Sequence, residues 1–165
     1  MHASVKEWTD EAKKRTKDAF CAAFPHPFLI GGGPAVEGPR GARTFRIDVA
    51  DLHRALDEAR ANSVVLPVRK RLETFPSMIS LGRTANNDLV LDDPQISKFH
   101  ASLRFRDGEL ELEDAGSANG TFVGKTQLHK GVPQRLRRGD IVRFGSATFE
   151  LYDAANAWGW LSRGR

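Results

Sequence analysis

The feature that most constrains this chain is a strict two-residue alternation on both sides of one tight turn. In Ala101-Ser102-Leu103-Arg104-Phe105-Arg106 the odd positions are apolar and the even ones polar, and Leu110 and Leu112 repeat the pattern between Glu109, Glu111 and Glu113. Side chains of a strand point to opposite faces in turn, so each run places one face on a core and one in water. A helix of period 3.6 would scatter the same apolar positions around its surface. Asp107-Gly108 separates the runs and supplies the positive φ that a two-residue hairpin requires.

The same rhythm extends along the chain. From Val64 onward, short runs at 64–69, 78–82, 89–91, 100–106, 109–113, 121–123, 141–144 and 147–152 are divided by turn residues, the pattern of a β-sandwich. Pro67 cannot donate to a ladder and marks the first run as an edge strand. Gly139-Asp140 and Gly145-Ser146 read as further tight hairpins. The expected fold is mainly β, a sandwich of two antiparallel-rich sheets over residues 63–152 with an N-terminal helical extension. Residues 1–62 are expected to form a helical and partly extended region packed on the β-domain. Residues 153–165 form a tail or short helix that carries Trp158 and Trp160.

Before Val64 the spacing is helical. Ser4-Val5-Lys6-Glu7 has the capping-box arrangement, and Val5, Trp8, Ala12, Ala19, Phe20 and Ala23 make one apolar stripe that Pro25 and Pro27 stop. That stripe must be covered, either by the chain's own following segment or by self-association through residues 4–24. Phe28-Leu29-Ile30 before Gly31-Gly32-Gly33-Pro34 is read as a loop; no Gly-Lys-Ser/Thr follows and Pro34 lacks an N–H, so a phosphate-cradling loop is rejected. Thr44 to Ile47 reads as a short strand. Val49, Leu52, Leu56 and Ala59 read as a helix capped by Asp48 or Asp51 and ended by Asn62.

Length and composition narrow the function. With 165 residues, 40% of them apolar, one ordinary domain with an appendage is expected. The formal charge of +4 is a mild bias toward anionic partners. Cys21 is the single cysteine, which excludes an internal disulfide, and the charges through residues 6–17 leave no apolar run for a signal peptide or membrane span. A cytoplasmic protein without a membrane partner is expected. His2, His26, His53, His100 and His129 are scattered, with no metal-ligand spacing and no nucleophile motif, so the sequence calls for no enzyme activity, no metal and no cofactor. Arg135, Arg137 and Arg138 read as the charged rim of a hairpin in preference to a nucleic-acid contact.

Three polar clusters fall where strand patterns end or begin: Leu81-Gly82-Arg83, Ser97-Lys98-Phe99-His100 and Ser117-Ala118-Asn119-Gly120-Thr121. They bring a guanidinium, a hydroxyl, an ammonium, an amide and a glycine turn, donors suited to a phosphate or a peptide backbone. Gly82-Arg83, Ser97-x-x-His100 and Asp114-x-x-Ser117-x-Asn119-Gly120-Thr121 resemble, in that order, the signature of the forkhead-associated (FHA) domain. The resemblance covers roughly residues 63–152.

This resemblance implies a phosphopeptide-binding set of Arg83, Ser97, Lys98 and Asn119, in which Arg83 and Ser97 hold the phosphate, Lys98 adds charge and Asn119 pairs with the peptide backbone. It implies structural roles for Gly82, His100, Gly120 and Thr121, with His100 bracing a loop. It also implies a preference for phosphothreonine through a pocket for the threonine methyl; burial of one methyl is worth about 0.8 kcal/mol, roughly fourfold, so any larger preference needs rigid loops. The chain departs from the pattern at Ala118, where several members carry a hydroxyl that also contacts phosphate. The function implied is a phosphothreonine-dependent interaction module for signalling, whose partner is a threonine-phosphorylated protein, either a substrate of a Ser/Thr kinase or the kinase itself. The alternative, favoured by Ala118 and the amphipathic N-terminal stripe, is an assembly module that uses the same fold without phosphate.

Overall fold

Ser4 opens the first helix as its spacing predicts: its hydroxyl accepts the Glu7 N–H and the Glu7 carboxylate accepts the Ser4 N–H. The stripe is carried by two helices instead of one, α1 (Val5–Lys13) and α2 (Lys17–Ala23). The break has a local cause, because Thr16 is extended and its hydroxyl accepts the Ala19 N–H, restarting the helix. The computed structural model describes residues 4–32 and 59–163. The expected strand over 44–47 and most of the helix expected after it lie outside the described residues; residues 59–61 are helical.

Eleven described strands follow: β1 (Phe28–Gly31), β2 (Val64–Pro67), β3 (Ile79–Gly82), β4 (Leu89–Val90), β5 (Ala101–Arg106), β6 (Glu109–Asp114), β7 (Thr121–Val123), β8 (Thr126–Gln127), β9 (Gln134–Leu136), β10 (Ile141–Phe144) and β11 (Ala147–Tyr152). They form two sheets, ordered β2-β1-β11-β10-β7-β8 and β4-β3-β5-β6-β9. β3 and β4 run parallel, whereas β5 pairs antiparallel with both β3 and β6. Leu29, Leu66, Leu81, Leu103, Leu112, Val142, Phe144 and Phe149 belong to one buried core. The Asp107-Gly108 hairpin is present, with φ of 52° and 79° at its two residues.

Two local expectations are corrected. Phe28–Gly31 is not a loop but a strand between β2 and β11. Gly139-Asp140 is a turn but not a hairpin: it leads from β9 in one sheet to β10 in the other, closed by the Arg137 N–H on the Asp140 carboxylate and the Asp140 N–H on the Arg137 carbonyl. Pro67 does lie in an edge strand, β2.

A helical layer covers the outer face of the larger sheet near β1 and β2. Trp8, Ala12 and Phe20 pack with Phe28, Ile30 and Val65, and with Ala157 and Leu161 of a C-terminal helix α3 (Ala154–Ser162). Trp158 ties this helix to the others, its indole N–H reaching the Ala12 and Arg15 carbonyls at 3.0 and 3.2 Å. Of the apolar stripe expected as a possible self-association surface, Trp8, Ala12 and Phe20 are buried within the chain, Val5 is half-buried, and Ala19 and Ala23 are exposed. Among the described residues no helix is long and apolar enough to cross a membrane.

The register sets which ends of the strands meet. Leu81 of β3 lies opposite Ala101 of β5, which in turn lies opposite Asp114 of β6. The connections β3–β4, β4–β5 and β6–β7 therefore emerge at one end of the sandwich. The β5–β6 hairpin and the end of β9 lie at the other, where Leu110 pairs with Leu136.

Candidate functional site

All three polar clusters sit in those clustered connections, and main-chain bonds tie them together. The Arg83 N–H donates to the Ser97 carbonyl at 2.9 Å, and the Ala118 N–H donates to Ser97 Oγ at 3.0 Å. Ser97 thus joins the first connection to the third. Its oxygen accepts from Ala118, which leaves its own proton for an incoming acceptor. Alanine at 118 brings no hydroxyl, but its amide directs one.

Gly82 permits this approach. A Cβ there would stand 2.2 Å from the Lys98 carbonyl oxygen and 2.8 Å from Asn87 Nδ2, so only hydrogen fits. That carbonyl accepts from Asn87 Nδ2 at 2.7 Å and from the Thr84 hydroxyl at 3.0 Å. The Lys98 backbone is pinned while its side chain is exposed. Arg83 is also exposed, and neither its guanidinium nor the Lys98 ammonium has a partner among the described residues.

His100 is fully buried beneath the loops. Nδ1 lies 3.1 Å from the Ser97 N–H and Nε2 lies 3.1 Å from the Gly120 carbonyl. A backbone N–H can only donate, so Nδ1 accepts and the proton sits on Nε2. Burial holds the imidazole pKa below its usual value, against the opposing pull of the Gly120 hydrogen bond and Asp114. The ring is a neutral brace between two loops.

Asp114 organises the third connection. Its carboxylate accepts from the Gly116 and Ser117 N–H groups and from the Ser117 and Thr121 hydroxyls, the latter two at 2.6 Å. Burial opposes the charge, but these donors together hold the Asp114 pKa below the usual carboxylate range. Gly120 turns the chain with φ of 82°. Asn119, exposed at the rim, donates from Nδ2 to the Gln95 carbonyl at 2.8 Å.

Asp88, Asn87 and Gln95 were not found by sequence reasoning. Asp88 is buried and accepts from Lys70 Nζ at 2.7 Å, the Arg71 and Leu72 N–H groups, and the N–H and hydroxyl of Ser80. The Asn86-Asn87-Asp88 run, rich in turn-forming and capping side chains, was the one available signal. Burial alone would raise the Asp88 pKa, yet the Lys70 ammonium and the Ser80, Arg71 and Leu72 N–H groups bring it down from 3.8 to about 2. A carboxylate depressed in the folded state contributes stability that is present above its unfolded pKa and lost as pH falls through the folded one. Between pH about 4 and 2 the chain should therefore lose roughly 2 kcal/mol at this group. Urea unfolding at stepped pH checks it: Asp88→Asn should be less stable at neutral pH and show a shallower loss across that window.

Comparison with known proteins assigns a family to the segment that carries this geometry. Residues 79–145 match the model of the FHA domain. That segment is an FHA domain. The chain is 39% identical over 66 residues to the glycogen accumulation regulator GarA of Mycolicibacterium smegmatis, covering 40% of each protein. It is also 39% identical over 64 residues to an oxoglutarate dehydrogenase inhibitor of Corynebacterium efficiens, covering 39% of this chain and 43% of that one. The chain thus spans well under half the length of these curated relatives. Among solved structures, an FHA domain of an Arabidopsis thaliana hypothetical protein superposes with a TM-score of 0.49 at 21% identity, over 78% of this chain and 86% of that one.

The eight residues that the sequence assigned to the site lie in or directly under the three connections. Arg83, Ser97, Lys98 and Asn119 occupy the rim. Gly82, His100, Gly120 and Thr121 lie beneath, all four buried. The basic residues expected at a hairpin rim lie at the far end: Arg135 pairs with Glu109 at 2.6 Å and Arg138 with Asp153 at 3.2 Å.

Proposed function

We propose that this chain is a phosphothreonine-dependent protein–protein interaction module, in which Arg83, Ser97 and Lys98 receive the phosphate and Asn119 the adjacent peptide backbone. The observation that carries the reading is that Arg83 and Lys98, exposed and without side-chain partners among the described residues, and the Ser97 hydroxyl stand on connections that hydrogen bonds tie together. A phosphate monoester near neutral pH bears a charge of roughly −1.5 to −2 and three acceptor oxygens, which such a set complements. The planar guanidinium adds a fork of donors that a lysine lacks. The regulator and inhibitor named among the relatives fit a module that acts by binding. The chain is accordingly read as a non-enzymatic, cytoplasmic partner of a threonine-phosphorylated protein.

The test is a titration with a phosphothreonine peptide library, repeated after phosphatase treatment of the same peptides. Binding that vanishes with the phosphate supports the module. Binding that survives would instead select the phosphate-independent assembly reading, for which the absent hydroxyl at Ala118 is the specific motive.

A further inference from the structure

Asn119 is gripped from the neighbouring loop by both oxygens of one residue: its Nδ2 donates to the Gln95 main-chain carbonyl at 2.8 Å and to Gln95 Oε1 at 3.0 Å. A carbonyl can only accept, so the Asn119 atom nearest it must be the nitrogen, and chemistry fixes which way the amide is turned. Both protons of Nδ2 are used. Oδ1 has no partner among the described residues and is the one polar atom of the side chain left for a ligand.

The grip has a rigid base. A Cβ on Gly145 would stand 2.8 Å from the Gln95 carbonyl oxygen, so the β10–β11 turn supports that carbonyl from below only because residue 145 is glycine, with φ of 56°. The Gly145 N–H in turn donates at 3.0 Å to the Gly120 carbonyl, the same oxygen that takes the His100 proton. Gln95 and Asn119 are thereby set in place by the backbone of three connections.

Building on the phosphopeptide reading above, we propose that Gln95 is a positioning residue for ligand binding: it turns the Asn119 amide so that the site offers an acceptor, Oδ1, and selects a main-chain N–H of the bound peptide. The main-chain carbonyl holds one Nδ2 proton whatever side chain stands at 95, and the Gln95 Oε1 holds the second, restricting the rotation that one bond alone leaves open. An unrestrained asparagine would pay an ordering cost on binding that this one has already met.

The test uses the whole chain, a phosphothreonine peptide recovered from the library, and a set of analogues in which each backbone amide in turn is replaced by an ester, removing one N–H. Wild type should lose about tenfold in affinity for one analogue, the size of one neutral hydrogen bond, and Asn119→Ala should not distinguish that analogue from the parent. Gln95→Met, which keeps the length and removes the polar atoms of an exposed side chain, should bind the parent about two- to tenfold more weakly and show reduced sensitivity to the same ester. In an Asn119→Ala background it should add nothing further. The unfolding midpoint should not move.

In the free protein, the Asn119 side-chain amide protons should exchange with solvent faster in Gln95→Met than in wild type. Equal weakening by Gln95→Met in both backgrounds, or unaltered amide exchange, overturns the proposal. Should wild type bind no phosphothreonine peptide, the module reading fails, and the exchange measurement alone decides whether Gln95 orients the amide.

Discussion

Replacing Arg83 with alanine is expected to remove measurable phosphothreonine-peptide binding while leaving the unfolding midpoint where it was. The side chain is exposed and its guanidinium is unpaired among the described residues, so nothing in the fold depends on it. The backbone N–H of Arg83 donates to the Ser97 carbonyl, a bond that alanine retains. A hydrogen bond to a charged group contributes about 1.5–3 kcal/mol, so loss of a bidentate fork should cost one to two decades of affinity or more. Arg83→Lys keeps the charge without the fork and should fall between. Isothermal titration against one phosphothreonine peptide, beside thermal unfolding of each variant, reads both quantities. Wild-type affinity in Arg83→Ala would remove the guanidinium from the site.

His100→Ala should act the other way, on the fold first and on binding through it. The ring is fully buried, edge-on to Phe144 with centroids 5.9 Å apart, and its two nitrogens satisfy the Ser97 N–H and the Gly120 carbonyl. Alanine leaves a cavity beneath the loops and an orphaned N–H at Ser97; Gly120 keeps its second bond from Gly145. Large-to-small core changes and buried unpaired donors together suggest a loss of about 3–5 kcal/mol, or roughly 6–20 °C in a chain of this size. Peptide affinity should also fall at temperatures where the variant is folded, since Ser97 and Asn119 lose their common support. Chemical denaturation gives the first number and titration at low temperature the second. A variant as stable as wild type would mean that the brace is dispensable.

Much of the site and part of the frame were legible in the sequence. The β5–β6 hairpin declared itself by alternation, and Leu103, Leu110 and Leu112 are buried as it requires, although Phe105 is exposed near the turn and Ser102 is buried. Arg83, Ser97 and Asn119 stood out because each follows or precedes such a pattern. The strand β1 was missed for the opposite reason: Leu29 faces the sandwich core while Phe28 and Ile30 face the helices, so both faces are apolar and no alternation appears. Its neighbours, Pro27 and a run of glycines, spoke for a loop. The break between α1 and α2 depended on one hydroxyl at Thr16. Asn87, Asp88 and Gln95 act through bonds to distant backbone or to side chains brought near only by folding, and such bonds impose no spacing on a sequence. Gly82 and Gly145 are glycines for a comparable reason, the close passage of another connection.

On the proposed reading, three connections at a single end of the sandwich make one rigid receptacle for a phosphorylated threonine. Amide chemical-shift mapping tests it most directly, with the same peptide added in phosphorylated and unphosphorylated form. Only the phosphorylated peptide is expected to move signals, with the largest shifts on Arg83, Ser97, Lys98, Ala118 and Asn119. Shifts induced equally by both peptides, or gathered at the far end around Gly108 and Arg138, would contradict it.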